Sequence, residues 1–276
     1  METATQLRRP FSIMQPAGEY FIVASLPKNS TSFAAKAEEA GVDAILLNVD
    51  GDEDSFPGQF GSYDLHDVYI NDVISTVRVP CGILIGGARP ITQDYWERVM
   101  SSNCSFVEMY AHQMPLHVLA DTRVRKIAAI GAGYILEQVR QLSQLDGLDA
   151  LDAATTPTQA RSAPFTLLDH STLGLIVGLS SKPVLLRTQK RLRREDISMV
   201  LKLGVKGLVV DPMSVSGAEE AYRGELESLS PRRPQADQKE QEHPSGDSGG
   251  RAGDQAEAVH LPSAEADVAG GPEAHS

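Results

Sequence analysis

The sequence predicts an α/β protein built as a single (βα)8 barrel, with its active site expected at the C-terminal ends of the strands. Three observations lead there. Eight short β-branched runs alternate with amphipathic stretches, one type of strand entrance recurs along the chain, and the composition changes abruptly near Ser230.

The strand runs are Tyr20–Leu26, Ala44–Asp50, Gly82–Gly86, Phe106–His112, Lys126–Gly131, Leu148–Ala153, Val184–Gln189 and Gly207–Asp211. Between them lie helix-period stretches such as TSFAAKAEEAG, LHDVYINDVISTV, TQDYWERVMSS, YILEQVRQLSQL and REDISMVLKLG. Strands that alternate with helices pair in parallel through crossovers. A doubly wound open sheet would show the same alternation, and the count of eight favours closure into a barrel.

The recurring entrance reads GVDAILL at 41–47, GLDALDA at 147–153 and GVKGLVV at 204–210. In each, a glycine is expected to end the preceding helix in a left-handed conformation before the buried strand begins. VPCGILIG at 79–86 and KPVLLRT at 182–188 instead place proline at the strand entrance, where its missing N–H costs least. Residues 1–19 are then an N-terminal extension and 20–229 the barrel. Residues 230–276 form an acidic Pro/Gly/Ala-rich tail without one aromatic side chain. Such a segment buries too little apolar surface to offset its ordering entropy and is expected to be disordered.

Of the 276 residues, 41% are hydrophobic and 22% charged, which suits a globular chain with a sizeable core. The formal net charge of −12 argues against nucleic acid, because neutralising phosphates needs clustered Lys and Arg. No apolar run approaches the ~20 residues of a membrane span, and the two arginines of METATQLRRP precede no signal-peptide core, so a cytoplasmic protein is expected. The two cysteines, Cys81 and Cys104, have no metal-site spacing and read as buried free thiols.

GVDAILLNVD, VPCGILIGG and KPVLLRTQKRLRREDISMVLKLGVKGLVVDPMSVSG resemble the phosphate-binding and related metabolic (βα)8, or TIM, barrels. The resemblance spans about Tyr20 to Leu229 as pattern and singles out no close family. It implies a substrate phosphate near the loops after strands seven and eight. The turns there read RTQKRL and DPMSVSG, a departure from the Gly-rich turns common in those barrels.

Polar residues at strand C-terminal ends mark the expected site. Strand four is the richest: Glu108, Tyr110 and His112 alternate and share one face with Phe106, leaving Val107, Met109 and Ala111 for the helices. Glu108 and His112, with Asp152 of strand six, are the candidate acid/base groups. An inward Glu108 should have its pKa raised by desolvation. Asn48, Asp50 and Tyr110 are candidate substrate-binding residues. So are Arg187, Gln189 and Lys190 on strand seven, where Arg187 would grip an anion as a fork and Lys190 as a point charge. Asp211 and the SVSG turn offer a weaker anion site.

Other motifs fall away. Neither Gly86–Gly87 nor the Gly131–Ala132–Gly133 turn fits a dinucleotide fingerprint, and no strand-six lysine offers a Schiff base, with Lys28 the mouth-side alternative. His66, His117 and His170 sit on helix-like segments. No cofactor is named by the sequence; a divalent metal on Glu108, His112 and Asp152 is an option that no spacing demands. The expectation is a metabolic isomerase or lyase working by proton transfer on a small anionic metabolite, phosphorylated or carboxylated. The alternative is a non-catalytic barrel that binds a metabolite or partner, suggested by the altered turns. Oligomeric state is not legible.

Overall fold

Each predicted strand run forms a strand, with ends within about two residues of expectation. In chain order the elements are β1 Phe21–Ser25, α1 Thr31–Glu39, β2 Ala44–Val49, α2 Tyr63–Thr76, β3 Cys81–Ile85, α3 Gln93–Met100, β4 Phe106–Tyr110 and α4 Leu116–Ala120. They continue as β5 Arg125–Gly131, α5 Leu136–Ser143, β6 Ala150–Ala154, α6 Leu167–Leu179, β7 Val184–Arg187, α7 Arg194–Lys202, β8 Gly207–Val210 and α8 Glu219–Leu229. The computed structural model describes residues 11–12, 18–51, 60–211 and 218–231. The acidic loop at 52–59, the turn at 212–217 and nearly all of the predicted tail lie outside the described residues.

The strands pair in parallel in sequence order, and β8 pairs with β1 to close the barrel. Gly41, Gly147 and Gly204, the three glycines of the recurring entrance, have φ of 81°, 84° and 101°. Each occupies the left-handed conformation that a side chain would resist, so the chain turns from helix to strand at these points. Helix starts are capped by side chains: Ser30 accepts from the Phe33 N–H and Thr92 from the Tyr95 N–H. At α6 a reciprocal box joins Thr166 and Asp169.

Strand alternation sorts the core into two layers. Ile22, Ile45, Ile83, Val107, Met109 and Leu208 face the helices, where Phe33, Ile70, Trp96 and Val200 meet them. Phe21, Val23, Leu46, Phe106, Ile127, Leu185 and Val209 fill the barrel interior with Phe11 packed against them. Phe106 is inside while Val107 and Met109 are outside, the register expected of strand four. Gly82 pairs with Phe106, and a Cβ at Gly82 would collide with the phenyl ring. Glycine there gives Phe106 the barrel centre, and Phe11 stacks on it with ring centroids 4.1 Å apart. Cys81 and Cys104 are buried thiols, and burial pushes the Cys104 thiol up to about 11, an unreactive state. No helix among the described residues is long and apolar enough to cross a membrane.

Candidate functional site

Above the apolar floor the interior becomes charged. Register places Glu108 between Leu84 and Ile127, Asp152 between Ala129 and Leu185, and Arg187 beside Val209. Arg187 Nε donates to Asp152 Oδ2 at 2.7 Å, and its Nη2 donates to Glu108 Oε1. Both carboxylates have no solvent exposure, and Arg187 has 5%. Burial opposes the guanidinium charge, but Glu108, Asp152 and Asp211 outweigh it and raise the Arg187 pKa further. The expected anion-gripping fork is thus occupied by two carboxylates of the chain itself.

Two oxygens of this array, Glu108 Oε2 and Asp152 Oδ1, have no hydrogen-bond partner among the described residues. Burial, opposed by Arg187 and reinforced by Asp152, pushes the Glu108 carboxyl well above its ordinary range. Burial and the neighbouring Asp152 thus favour the neutral form of Glu108, against the pull of the Arg187 cation.

The β1–β2 side is different. Asn48 donates through Nδ2 to Leu26 O at 2.8 Å and to Ser25 Oγ at 3.3 Å. Asn29 reads the Asn48 backbone in both directions, Oδ1 accepting from its N–H at 3.0 Å and Nδ2 donating to its C=O at 2.7 Å. Asn48 thus pins the β1–α1 turn. Asp50 has φ of 50°, which breaks the strand alternation, and its carboxylate is met by the Tyr95 hydroxyl of α3 and by Arg89 at 3.3 Å. Burial raises the Asp50 pKa, with Tyr95 and Arg89 opposing.

Past β7, Gln189 Oε1 accepts from the Thr156 N–H at 2.9 Å, and Lys190 Nζ reaches Asp169 at 2.7 Å. Burial would raise the Asp169 pKa, but Lys190 and Thr166 outweigh it and lower it. These two residues of the predicted anion grip tie the β7–α7 turn to the segment after β6.

A cavity of about 130 Å³ opens at the ends of β4, β5 and β6. Its walls are Tyr110, His112, Tyr134, Ala154, Thr156 and the short 3-10 turn Thr158–Ala160 with Arg161, together with the backbone of Gly131 and Ala132. A Cβ on Gly131 would press on the Tyr110 ring at 3.3 Å and stand 3.5 Å from Tyr134, so glycine lets both rings approach. Among the described residues no Asp or Glu lines this cavity, whereas Arg161 and His112 do. Tyr110 packs with Ala129 and Ala154 as its floor. Burial, opposed by Arg187 and aided by Asp152, raises the Tyr110 pKa and keeps the phenol neutral.

Sequence alternation set Glu108, Tyr110 and His112 on one face, but β4 ends at Tyr110. His112 is exposed, with its ring 5.8 Å from that of Tyr110 and its Nδ1 2.7 Å from Tyr134 Oη. Glu108 and Asp152 meet through Arg187; His112 does not join them. No group of three or more His, Cys, Asp or Glu among the described residues is placed to hold a metal, so the trio of Glu108, His112 and Asp152 is not a ligand set here.

No protein-family model matches this sequence, and no curated protein sequence does. Solved structures do. A mutant tryptophan synthase α-subunit from the hyperthermophile Pyrococcus furiosus has 13% identity and a TM-score of 0.57, over 77% of this chain and 98% of that one. An N-acetylmannosamine-6-phosphate 2-epimerase from Clostridium perfringens has 17% identity and a TM-score of 0.53, over 75% and 92%. The likeness is one of fold. It places this chain structurally beside TIM barrels, as the sequence pattern implied.

Sequence reasoning missed Tyr134, Arg161 and Asn29. Arg161 was the most legible, being the sole charged residue between Asp152 and Asp169 and lying on a mouth-side segment. Tyr134 directly follows the Gly131–Ala132–Gly133 turn, where an aromatic at a barrel mouth was a signal. Asn29 had none, since its partner is backbone.

Proposed function

We propose that this barrel is a small-molecule metabolic enzyme, an isomerase or lyase that moves a proton on an anionic metabolite bound at the ends of β4, β5 and β6. The observation that supports it most is the fully buried pair of carboxyl groups, Glu108 and Asp152, joined through Arg187. In this reading Glu108, whose pKa burial raises, supplies a proton and Asp152 receives one, as a proton shift between two substrate atoms requires. Tyr110 lines the cavity and feels the charges of Arg187, Asp152 and Arg161. In this reading Tyr110 passes its hydroxyl proton to Asp152 as it takes one from the substrate; in the return step Tyr110 gives that proton to the second substrate atom and is reprotonated by the carboxyl pair. Arg187 supplies the counter-charge to the pair. Arg161 and His112 hold the anion, in a wall free of carboxylates that would repel it.

The test needs no known substrate. Keto acids and sugar phosphates incubated in heavy water with the protein should take up deuterium in at least one case, read by mass spectrometry. Glu108→Gln, which keeps the hydrogen bonds but fixes the proton, should abolish uptake, and Arg161→Ala should weaken ligand-induced thermal stabilisation. Uptake that persists in Glu108→Gln removes the carboxyl pair from the reaction.

The complete burial of Glu108 and Asp152 favours a second reading, in which the array is structural and the cavity only binds a metabolite. Ligand stabilisation without deuterium uptake by any bound compound is its signature.

A further inference from the structure

The imidazole of His112 is held from behind. Tyr134 Oη lies 2.7 Å from His112 Nδ1 and also accepts from the His112 backbone N–H at 3.0 Å. One phenol thereby fixes both the ring and the main chain of the same residue. Its aromatic ring lies 6.0 Å from the imidazole, and the rings of Tyr110 and Tyr134 flank Gly131. The opposite ring nitrogen, Nε2, has no hydrogen-bond partner among the described residues, and His112 is an exposed wall residue of the 130 Å³ cavity. A histidine with one nitrogen engaged by a fixed partner and the other free in a cavity has its tautomer chosen by that partner.

We infer that Tyr134 is a positioning residue that sets His112 as the Nε2–H tautomer, so that His112 acts in the cavity as a hydrogen-bond donor to a ligand's oxyanion and not as a base. The inference rests on the proposed site and specifies one part of it. With the Tyr134 oxygen accepting from the backbone N–H, its own proton donated to Nδ1 leaves the ring proton on Nε2. A fixed N–H donor in a cavity wall that also carries Arg161 suits a phosphate or carboxylate oxygen, or the oxygen on which charge develops during enolisation. It also separates roles: His112 and Arg161 receive negative charge, and proton exchange is left to Tyr110 and the carboxyl pair.

Nitrogen-15 NMR of the imidazole, on the full chain at a pH where the ring is neutral, reads the tautomer directly. The expected result is an unprotonated signal at Nδ1 and a protonated one at Nε2, with Tyr134→Phe moving the ring toward a mixture. Adding inorganic phosphate, and separately acetate, should shift the Nε2 signal in at least one case, and the responding anion distinguishes the two classes. An Nε2 that is unprotonated in the wild type, a tautomer unchanged in a folded Tyr134→Phe protein, or an Nε2 indifferent to both anions each overturns the inference. The tautomer does not depend on turnover. Lost deuterium uptake with an intact tautomer would therefore count against the proposed reaction and not against Tyr134.

Discussion

Two polar networks sit inside the same barrel and answer to different physics. On the β1–β2 side, Ser25, Asn29 and Asn48 are neutral, and the two amide side chains are engaged with backbone or hydroxyl. On the β4–β6–β7 side, Glu108, Asp152 and Arg187 are ionisable, fully buried and short of donors at two oxygens. A saturated neutral network specifies how strands and turns meet. A buried charged network is weak evidence for stability, because desolvation consumes much of the Coulombic gain. Two such networks in one interior show that polar burial alone does not mark a site; the marker is polar burial left unsatisfied.

Removing the cation should produce the largest effect. Arg187→Met leaves the buried Glu108–Asp152 pair without a counter-charge and should cost about 3–5 kcal/mol at neutral pH. The loss should shrink in mildly acid solution, where protonation relieves the buried negative charge, and urea unfolding at the two pH values measures it. A loss that is the same at both would mean that the carboxylates are hydrated or otherwise compensated.

Asn29→Ala tests the neutral network and should cost about 2 kcal/mol, because the N–H and C=O of Asn48 lose their partner together. This loss should be flat with pH, since no titrating group takes part. Equal pH slopes for Asn29→Ala and Arg187→Met would erase the distinction between the networks.

Glu108→Gln is the subtlest on stability. Its amide can accept from Arg187 and donate to Asp152, so the melting temperature at neutral pH should stay within a few degrees, a change of about 1 kcal/mol or less. The raised Glu108 pKa gives a definite sign. Stability from the protonated side chain is fully present below the unfolded-state pKa and is lost as pH rises through the folded-state value. Wild type should therefore lose stability on the alkaline side of that window relative to Glu108→Gln, and parallel melting-temperature curves would show that Glu108 is ionised throughout.

The sequence determined the barrel and its faces. Eight β-branched runs, three glycines poised for left-handed turns and the alternation of FVEMY required parallel strands with Glu108 inside and Met109 outside, because one-residue slips would bury a carboxylate among the helices. It also singled out Glu108, Asp152 and Arg187 as residues out of place in buried strands. The tertiary structure alone decided what these residues do to one another. Arg187 meets residues 79 and 35 positions away because the closed register brings β4, β6 and β7 around one axis, and no local pattern encodes that distance. Likewise, φ of 50° at Asp50 and the end of β4 at Tyr110 direct Asp50 to Tyr95 and His112 to Tyr134, where strand alternation had pointed both toward a shared site. Periodicity fixes faces while a strand lasts, and beyond its last residue the partners are chosen by loops and by the neighbouring strand ends.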